Sequence, residues 1–335
     1  MNSMILVFFR PFRRAQSRNK ACIFVLISTL LLGTSCSDGT DGTRPANESS
    51  KPRVALVMKS LANEFFQTMQ EGAVAHQAGS GGTYELISNG IKDEQDVTRQ
   101  AQLVEQMIAQ QVDAIVIAPA DSKALVSVCQ RAMEAGIVVV NIDNRFDEAV
   151  LQDKGLEIPF VGPNNRKGAR LAGEHLAQQL EKGDQVAILE GVPGAINGIQ
   201  RKLGFEDAMK AAEMAIVSSQ SAHWETDQAN RLVAALLTEH PSLKAILACN
   251  DSMALGAVAA LKSAGKEETI KVIGFDNISA VQALMRDGRV LCSVDQHGDQ
   301  LAAFGIEYAL EILETNELPG DRETPVDLVT PKTLP

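Results

Sequence analysis

"RVALVMKSLANEFFQTMQEG", residues 53–72, decides how the rest of the chain is read. Val54, Ala55, Leu56, Val57 and Met58 form an unbroken apolar run, the pattern of a strand buried on both faces. Lys59, Ser60 and Asn63 then interrupt it, and two adjacent phenylalanines, Phe65 and Phe66, follow at the start of a helical stretch. Strand, short polar loop, then helix is the repeating unit of a parallel α/β sheet. A lysine at the mouth of such a strand, beside two aromatic rings, does not belong to a plain core.

The same unit recurs downstream. "RVALVMK", "TYELIS", "DAIVIAP", "GIVVVNID", "IPFVGP", "QVAILEG", "AIVSSQ", "KAILACN", "IKVIGFD" and "VLCSVDQ" read as strands. Amphipathic segments lie between most of them, as in "EQDVTRQAQLVEQMIAQQ", where Val97, Ala101, Val104, Met107 and Ile108 share one face. Ten strands exceed one comfortable open sheet, so the sequence predicts two parallel sheets and two domains. In such folds ligands sit beyond the carboxyl ends of the strands. The residues at those ends include Lys59, Asn63, Asp121, Asp143, Asn144, Arg145, Glu190, Asn250, Asp251, Asp276, Asn277, Asp295 and Gln296. Asp, Asn and Gln dominate, the side chains that exchange hydrogen bonds with a small polyhydroxy ligand.

The formal net charge of −11 argues against a nucleic-acid partner. Five basic residues between Arg10 and Lys20 precede "ACIFVLISTLLL", residues 21–32, a run shorter than the ~20 residues that cross a bilayer as a helix. Together they read as a secretory signal. Its end, "LLGTSC", resembles a bacterial lipoprotein signal with Cys36 as the acylated residue, although Gly33 stands where leucine is usual. Residues 1–36 are therefore expected to be the signal and lipid-anchor cysteine, and residues 37–50 a flexible tether. The expected location is the periplasm or cell envelope. Cys129, Cys249 and Cys292 lack metal-ligand spacing and read as small buried hydrophobes.

Several chemistries find no support. No G-x-x-x-x-G-K-[ST] phosphate loop occurs, since "GVPGAING", residues 191–198, lacks the lysine and hydroxyl. No G-x-S-x-G elbow is present. The five histidines are scattered without a metal pair, so neither metal nor cofactor is expected. Asp143 and Asp276 could form an acid/base pair for glycoside hydrolysis, but each is followed by a polar partner suited to binding.

Five ordered motifs carry a resemblance: "ALVMKSLANEFF", "VVVNIDNR", "ACNDSMALGAVAALKSAGK", "VIGFDN" and "VDQHGDQLAAFG". From about Arg53 onward the chain resembles the periplasmic sugar-binding proteins of bacterial ABC transporters, the ribose- and allose-binding group. The resemblance implies an α/β protein of two doubly wound parallel-sheet lobes joined by three crossings. The N-terminal lobe would comprise residues 51–163 with 297–326, and the C-terminal lobe 164–296 with 327–335. The hinge residues would be Pro163, Asn164, His297 and Asp327. It further implies that Phe65 and Phe66 stack on one sugar face and Trp224 on the other. Arg201, Asp143 and Asp276 would bind hydroxyls, with amide contacts from Asn63, Asn250 and Gln296. Asp251 is expected to cap a helix beginning at Ser252 instead. In the ribose pattern an arginine directly follows the first aspartate; here Asn144 occupies that place as a candidate contact and Arg145 comes next. Lysine at position 59 is a feature of the allose type, and its ammonium is expected to pair with Asp143. A Schiff-base role for Lys59 is the enzymatic alternative.

These residues suggest a monomeric, non-catalytic, lipid-anchored binding protein that captures a monosaccharide or sugar alcohol and delivers it to an ABC-transporter permease. A sugar-processing enzyme and a sugar- or signal-sensing module on the same fold are the alternatives.

Overall fold

The computed structural model describes residues 51–334. The signal, Cys36 and the tether lie outside the described residues. The first sheet is built from β1 (Arg53–Ser60), β2 (Glu85–Ile91), β3 (Ala114–Ile117), β4 (Val138–Ile142) and β5 (Phe160–Pro163). The second contains β6 (Gln185–Glu190), β7 (Ala215–Ser221), β8 (Leu243–Ala248) and β9 (Lys271–Ile273). Three short strands follow: β10 (Ser293–Asp295), β11 (Arg322–Thr324) and β12 (Asp327–Val329).

The strand order is β11-β5-β4-β3-β1-β2 in the first sheet and β7-β6-β8-β9 in the second. Every pairing within these two sheets is parallel. A parallel bridge from Ile273 to Cys292 brings the chain entering β10 alongside β9. The two lobes thus share the doubly wound order 2-1-3-4-5.

Helices cover both faces of the first sheet. They are α1 (Glu64–Gly79), α2 (Val97–Ala109), α3 (Val126–Glu134) and α4 (Glu148–Lys154), with α5 (Asn165–Ala177), α6 (Ile196–Ala211), α7 (Thr226–Glu239), α8 (Asp251–Ser263) and α9 (Ser279–Arg286) in the second lobe, and α10 (Gly298–Thr315) returning to the first. Strand alternation sorts the core into layers. Ala55, Val57, Ile115 and Ile117 pack with Leu103, Val104 and Cys129 of α2 and α3. Val54, Leu56, Met58, Val116 and Ile142 face the other way, toward the α1 and α10 side. Such two-sided cover is what an apolar run like β1 demands, because a parallel sheet leaves neither face to water.

Three chain crossings join the lobes, at β5 to α5, β10 to α10 and β11 to β12. β10 and β12 pair antiparallel, Asp295 opposite Asp327. The crossings are tied to each other: Asn164 Nδ2 donates to Glu323 Oε2 at 3.3 Å, and His297 Nε2 meets Asp327 Oδ2 at 2.8 Å.

All ten strands read from the sequence are present; β11 and β12 were not expected. Asp251 is not the helix cap. Asn250 caps α8, its Oδ1 accepting from Met253 N at 2.9 Å. Asp251 is the first helical residue, and its carboxylate accepts from Ile278 N at 2.9 Å and Ser293 Oγ at 2.8 Å. Cys129, Cys249 and Cys292 are buried free thiols, and burial pushes those of Cys129 and Cys249 up to about 12, away from reactivity.

Candidate functional site

The ends of β1, β3 and β4 are shaped by buried amides. Gln100, fully buried on α2, donates to Met58 O at 3.1 Å and Ala118 O at 2.8 Å and accepts from Ala120 N at 2.8 Å. This locks the exits of β1 and β3 together. Asn141 does the same after β4, donating to Asn144 O at 2.9 Å and accepting from Phe146 N at 2.8 Å. The turn it holds places Asp143 at a φ of 61°. In the second lobe Trp224 has φ 69° and Asp276 φ 118°. Left-handed backbone is costly for residues with a side chain, and it clusters where surrounding structure holds a group in place for function.

These ends meet around a closed-down cavity of only about 10 Å³. The first lobe contributes Lys59, Asn63, Phe65, Phe66, Glu94 and Asp143; the second contributes Asn197, Arg201, Trp224, Asn250, Asp276 and Gln296. The space is far below the ~300–1,000 Å³ of sites for drug-sized ligands, so the two lobes are closed tightly on each other and a ligand must part them to enter. An open groove of about 840 Å³ lies along the Pro163 crossing, sharing Asn197 with the cavity. Its arginines are already paired, Arg145 with Asp321 at 2.6 Å and Arg166 with Asp207 at 2.7 Å, so the convergent chemistry is in the smaller space.

Two buried ion pairs face the cavity. Lys59 Nζ lies 2.9 Å from Asp143 Oδ2, with both side chains at most 2% exposed. The approach is off the direction of a hydrogen bond, so Asp143 Oδ2 has charge compensation but no aligned donor. Arg201 donates through Nη1 to Asp276 Oδ1 at 3.2 Å and Cys249 O at 2.9 Å, and through Nε to Asn165 Oδ1 at 2.7 Å. Its guanidinium lies 3.8 Å from the centre of the Phe275 ring. Gln296 Nε2 donates to Asp276 Oδ1 at 2.6 Å, leaving Gln296 Oε1 buried without a partner. Burial raises the Asp276 carboxyl well above the usual carboxylate range, against the pull of Arg201 and with the push of Asp251, Asp143 and Glu94. Buried acceptors without donors are uncommon in finished protein interiors and mark places where a ligand's hydroxyls can be received.

Aromatic surface supplies the remaining walls. Phe65 and Phe66 meet edge to face with centroids 5.1 Å apart. The Trp224 ring packs onto Gly191, where a Cβ would come within 2.0 Å of it.

The lobes are clasped across the cavity's borders. Ser122 N donates to Gly194 O at 3.0 Å, Ile196 N to Ser122 Oγ at 3.1 Å, and Asn197 N to Asn144 Oδ1 at 3.1 Å. On the far side Ser279 N donates to Glu64 Oε1 at 2.7 Å.

Ten of the eleven candidate contacts therefore line one cavity. Asn144 does not: its Nδ2 is committed to Pro119 O at 2.8 Å and its Oδ1 to Ser122 and Asn197, so it joins the lobes instead. Arg145 turns outward to Asp321 and the Phe160 ring. The cavity adds Glu94 and Asn197, which sequence reasoning missed. Glu94 lies just past β2, and that strand ends at Ile91, three residues beyond the "TYELIS" segment. Asn197 sits in the first turn of α6, within the glycine-rich stretch 191–198.

Two parallel-sheet lobes, three crossings and a clasped cavity of ion pairs and aromatic rings define a hinged protein that encloses a small polar ligand. The chain belongs to the periplasmic binding protein family, whose domain model matches residues 54–317. It is 57% identical over 289 residues to a D-ribose/D-allose-binding protein of Pseudomonas aeruginosa, covering 85% of this chain and 91% of that one. An ABC-transporter solute-binding protein from Burkholderia multivorans, with an unknown ligand represented as α-D-erythrofuranose, matches at 54% identity and a TM-score of 0.83, covering 84% of this chain and 100% of that one. One from Actinobacillus succinogenes with bound D-allose matches at 37% identity and a TM-score of 0.80, covering 84% and 99%.

Proposed function

We propose that this chain is an extracytoplasmic solute-binding protein that captures one monosaccharide or sugar alcohol between its lobes for uptake by an ABC transporter. The observation that carries this reading is the small cavity itself. Ion pairs from both lobes, two buried acceptors without donors, and the rings of Phe65, Phe66 and Trp224 surround it. A sugar ring has C–H-rich faces for the aromatics and a hydroxyl rim for the charges. In this reading Lys59, Asn63, Phe65, Phe66, Asp143, Arg201, Trp224, Asn250, Asp276 and Gln296 contact the ligand. The lobes divide at residues 163/164, 296/297 and 326/327, with Pro163, Asn164, His297 and Asp327 in the hinge. Cys36 carries the lipid anchor, a permease receives the sugar, and the chain acts as a monomer without catalysis.

Calorimetry on the chain from residue 51 with allose, ribose, xylitol and myo-inositol, followed by product analysis, tests this. The Lys59–Asp143 pair presents a donor beside an acceptor, so allose or a polyol is expected to bind more tightly than ribose. A micromolar dissociation constant, about −8 kcal/mol, with the sugar recovered unchanged is the expected result. Turnover of any sugar, or no binding across the panel, would overturn it.

Closure has its own test. A Cβ on Gly194 would lie 2.0 Å from Asp121 Oδ2. Asp121 cannot swing aside freely, because its Oδ1 accepts from both Lys123 N and Ala124 N at 2.8 Å. Gly194→Ala is expected to weaken sugar binding about tenfold, or ~1.4 kcal/mol, by holding the lobes apart. Unchanged affinity would mean that the clasp at Gly194 is not needed for the bound state.

A further inference from the structure

The charges around the cavity do not balance. Its two cations, Lys59 and Arg201, each already face a carboxylate, Asp143 and Asp276. Glu94 is a third carboxyl group in the same space, 4% exposed, with no cation of its own among the described residues. Its Oε1 accepts from Asn63 Nδ2 at 2.9 Å, which leaves Oε2 for a ligand. Across the lobe boundary stands Glu225, half-buried at the turn before α7.

We infer that Glu94 is a further sugar-contacting residue that binds the ligand in its protonated form, so that closing the lobes on a sugar takes up a proton. The inference rests on the sugar-binding reading above.

An unpaired carboxylate removed from water is costly, and the group escapes that cost by holding a proton. Burial raises Glu94 to about 7; Lys59 on β1 and the Asn63 amide pull it down, while Asp143 after β4 and Glu225 from the other lobe push it up. Glu225 is itself raised by burial and by Asp93 and Asp227, and is drawn back by the Glu94 backbone N–H and by His223. Both acids are thus held against each other by closure. When the lobes part, Glu94 regains water and loses Glu225, and its carboxyl returns toward the ordinary value of 4.5. Between these two values the closed form carries a proton that the open form lacks. Closure is therefore favoured as pH falls through about 7 and gains nothing further below the open-form value. A protonated Oε2 donates to a sugar oxygen, which complements the acceptors at Asp143 and Gln296.

Calorimetry with the tightest-binding sugar, run from pH 5.5 to 8 in two buffers of different ionisation enthalpy, reads this directly. Wild type is expected to bind about thirtyfold more tightly at pH 5.5 than at pH 8, with proton uptake near pH 6. Glu94→Gln keeps the oxygen that Asn63 needs and cannot ionise. It is expected to lose most of the slope and most of the uptake, the remainder coming from Asp276, whose carboxyl burial also raises. Glu225→Gln is expected to reduce the slope, leaving part of it. A pH slope and uptake undiminished in Glu94→Gln would overturn the inference while leaving the sugar-binding reading intact, as would a flat wild-type profile. Failure of wild type to bind any sugar at any pH would remove the sugar-binding reading, and the inference with it.

Discussion

Arg201→Ala is expected to lower sugar affinity by about 3–5 kcal/mol, enough to carry a micromolar binder into the millimolar range or beyond. The size follows from what the guanidinium holds. It donates to Asp276, to Cys249 O and to Asn165 Oδ1, and it lies between Phe275 and the cavity. Alanine would leave the Asp276 carboxylate buried beside Asp251 with only Gln296 as a donor. Removing one member of a buried pair costs more than the pair itself contributes, because the survivor stays desolvated. The variant should therefore also melt several degrees below wild type. Arg201→Lys separates the effects, since an ammonium keeps the charge but not the fork. It should recover stability more than affinity. If Arg201→Ala binds sugar as wild type does, the guanidinium does not meet the ligand.

Lys59→Met is expected to cost about 3–5 kcal/mol in affinity together with a marked loss of stability. Methionine fills the space of the lysine stem but leaves Asp143, 1% exposed, without its counter-charge. The ammonium also lies 5.6 Å from the centre of the Phe66 ring, a cation–π contact that the substitution removes. The second change, Asp143→Asn, isolates the cause. In the double variant the uncompensated charge is gone, and thermal stability should return most of the way while sugar binding stays weak. A double variant that regains both would show that the pair is a structural element only. A double variant as unstable as Lys59→Met would show that charge compensation is not what the lysine provides.

Most of the fold could be read because each of β1 to β9 is marked by an apolar run or by β-branched residues, as in β1 and β3, where seven of eight and four of four residues are buried. β11 and β12 carry no such mark. "RET" and "DLV" are strands because β5 offers an edge to the first and β10 pairs with the second. The site was legible for a related reason: polar residues directly after apolar runs have few other roles. Where the reading failed, the deciding partner was remote in sequence. Asn250 and Asp251 are both able to cap a helix, and the choice between them is made by Ile278 and Ser293. Asn144 was drawn out of the cavity by Pro119, Ser122 and Asn197. Glu94 went unseen because Ser88, Asn89 and Gly90 interrupt the apolar pattern of β2 before its buried end at Ile91.

The return of α10 to the first lobe has a consequence for the order in which the chain becomes native. Strands β1 to β5 are complete by Pro163, but the helix that covers β3 and β4 begins only at Gly298. As the polypeptide is synthesised, Val116, Val140 and Ile142 wait with one face uncovered while more than a hundred further residues are made. The second sheet has no such gap, since its strands run without interruption from Gln185 to Ile273. The part of the protein made second is therefore the first able to finish, and the part made first is the last. Pulse-labelled hydrogen exchange during refolding is expected to protect the amides of β6 and β8 before those of β3 and β4; the reverse order would mean that the first sheet can hold together without its final helix.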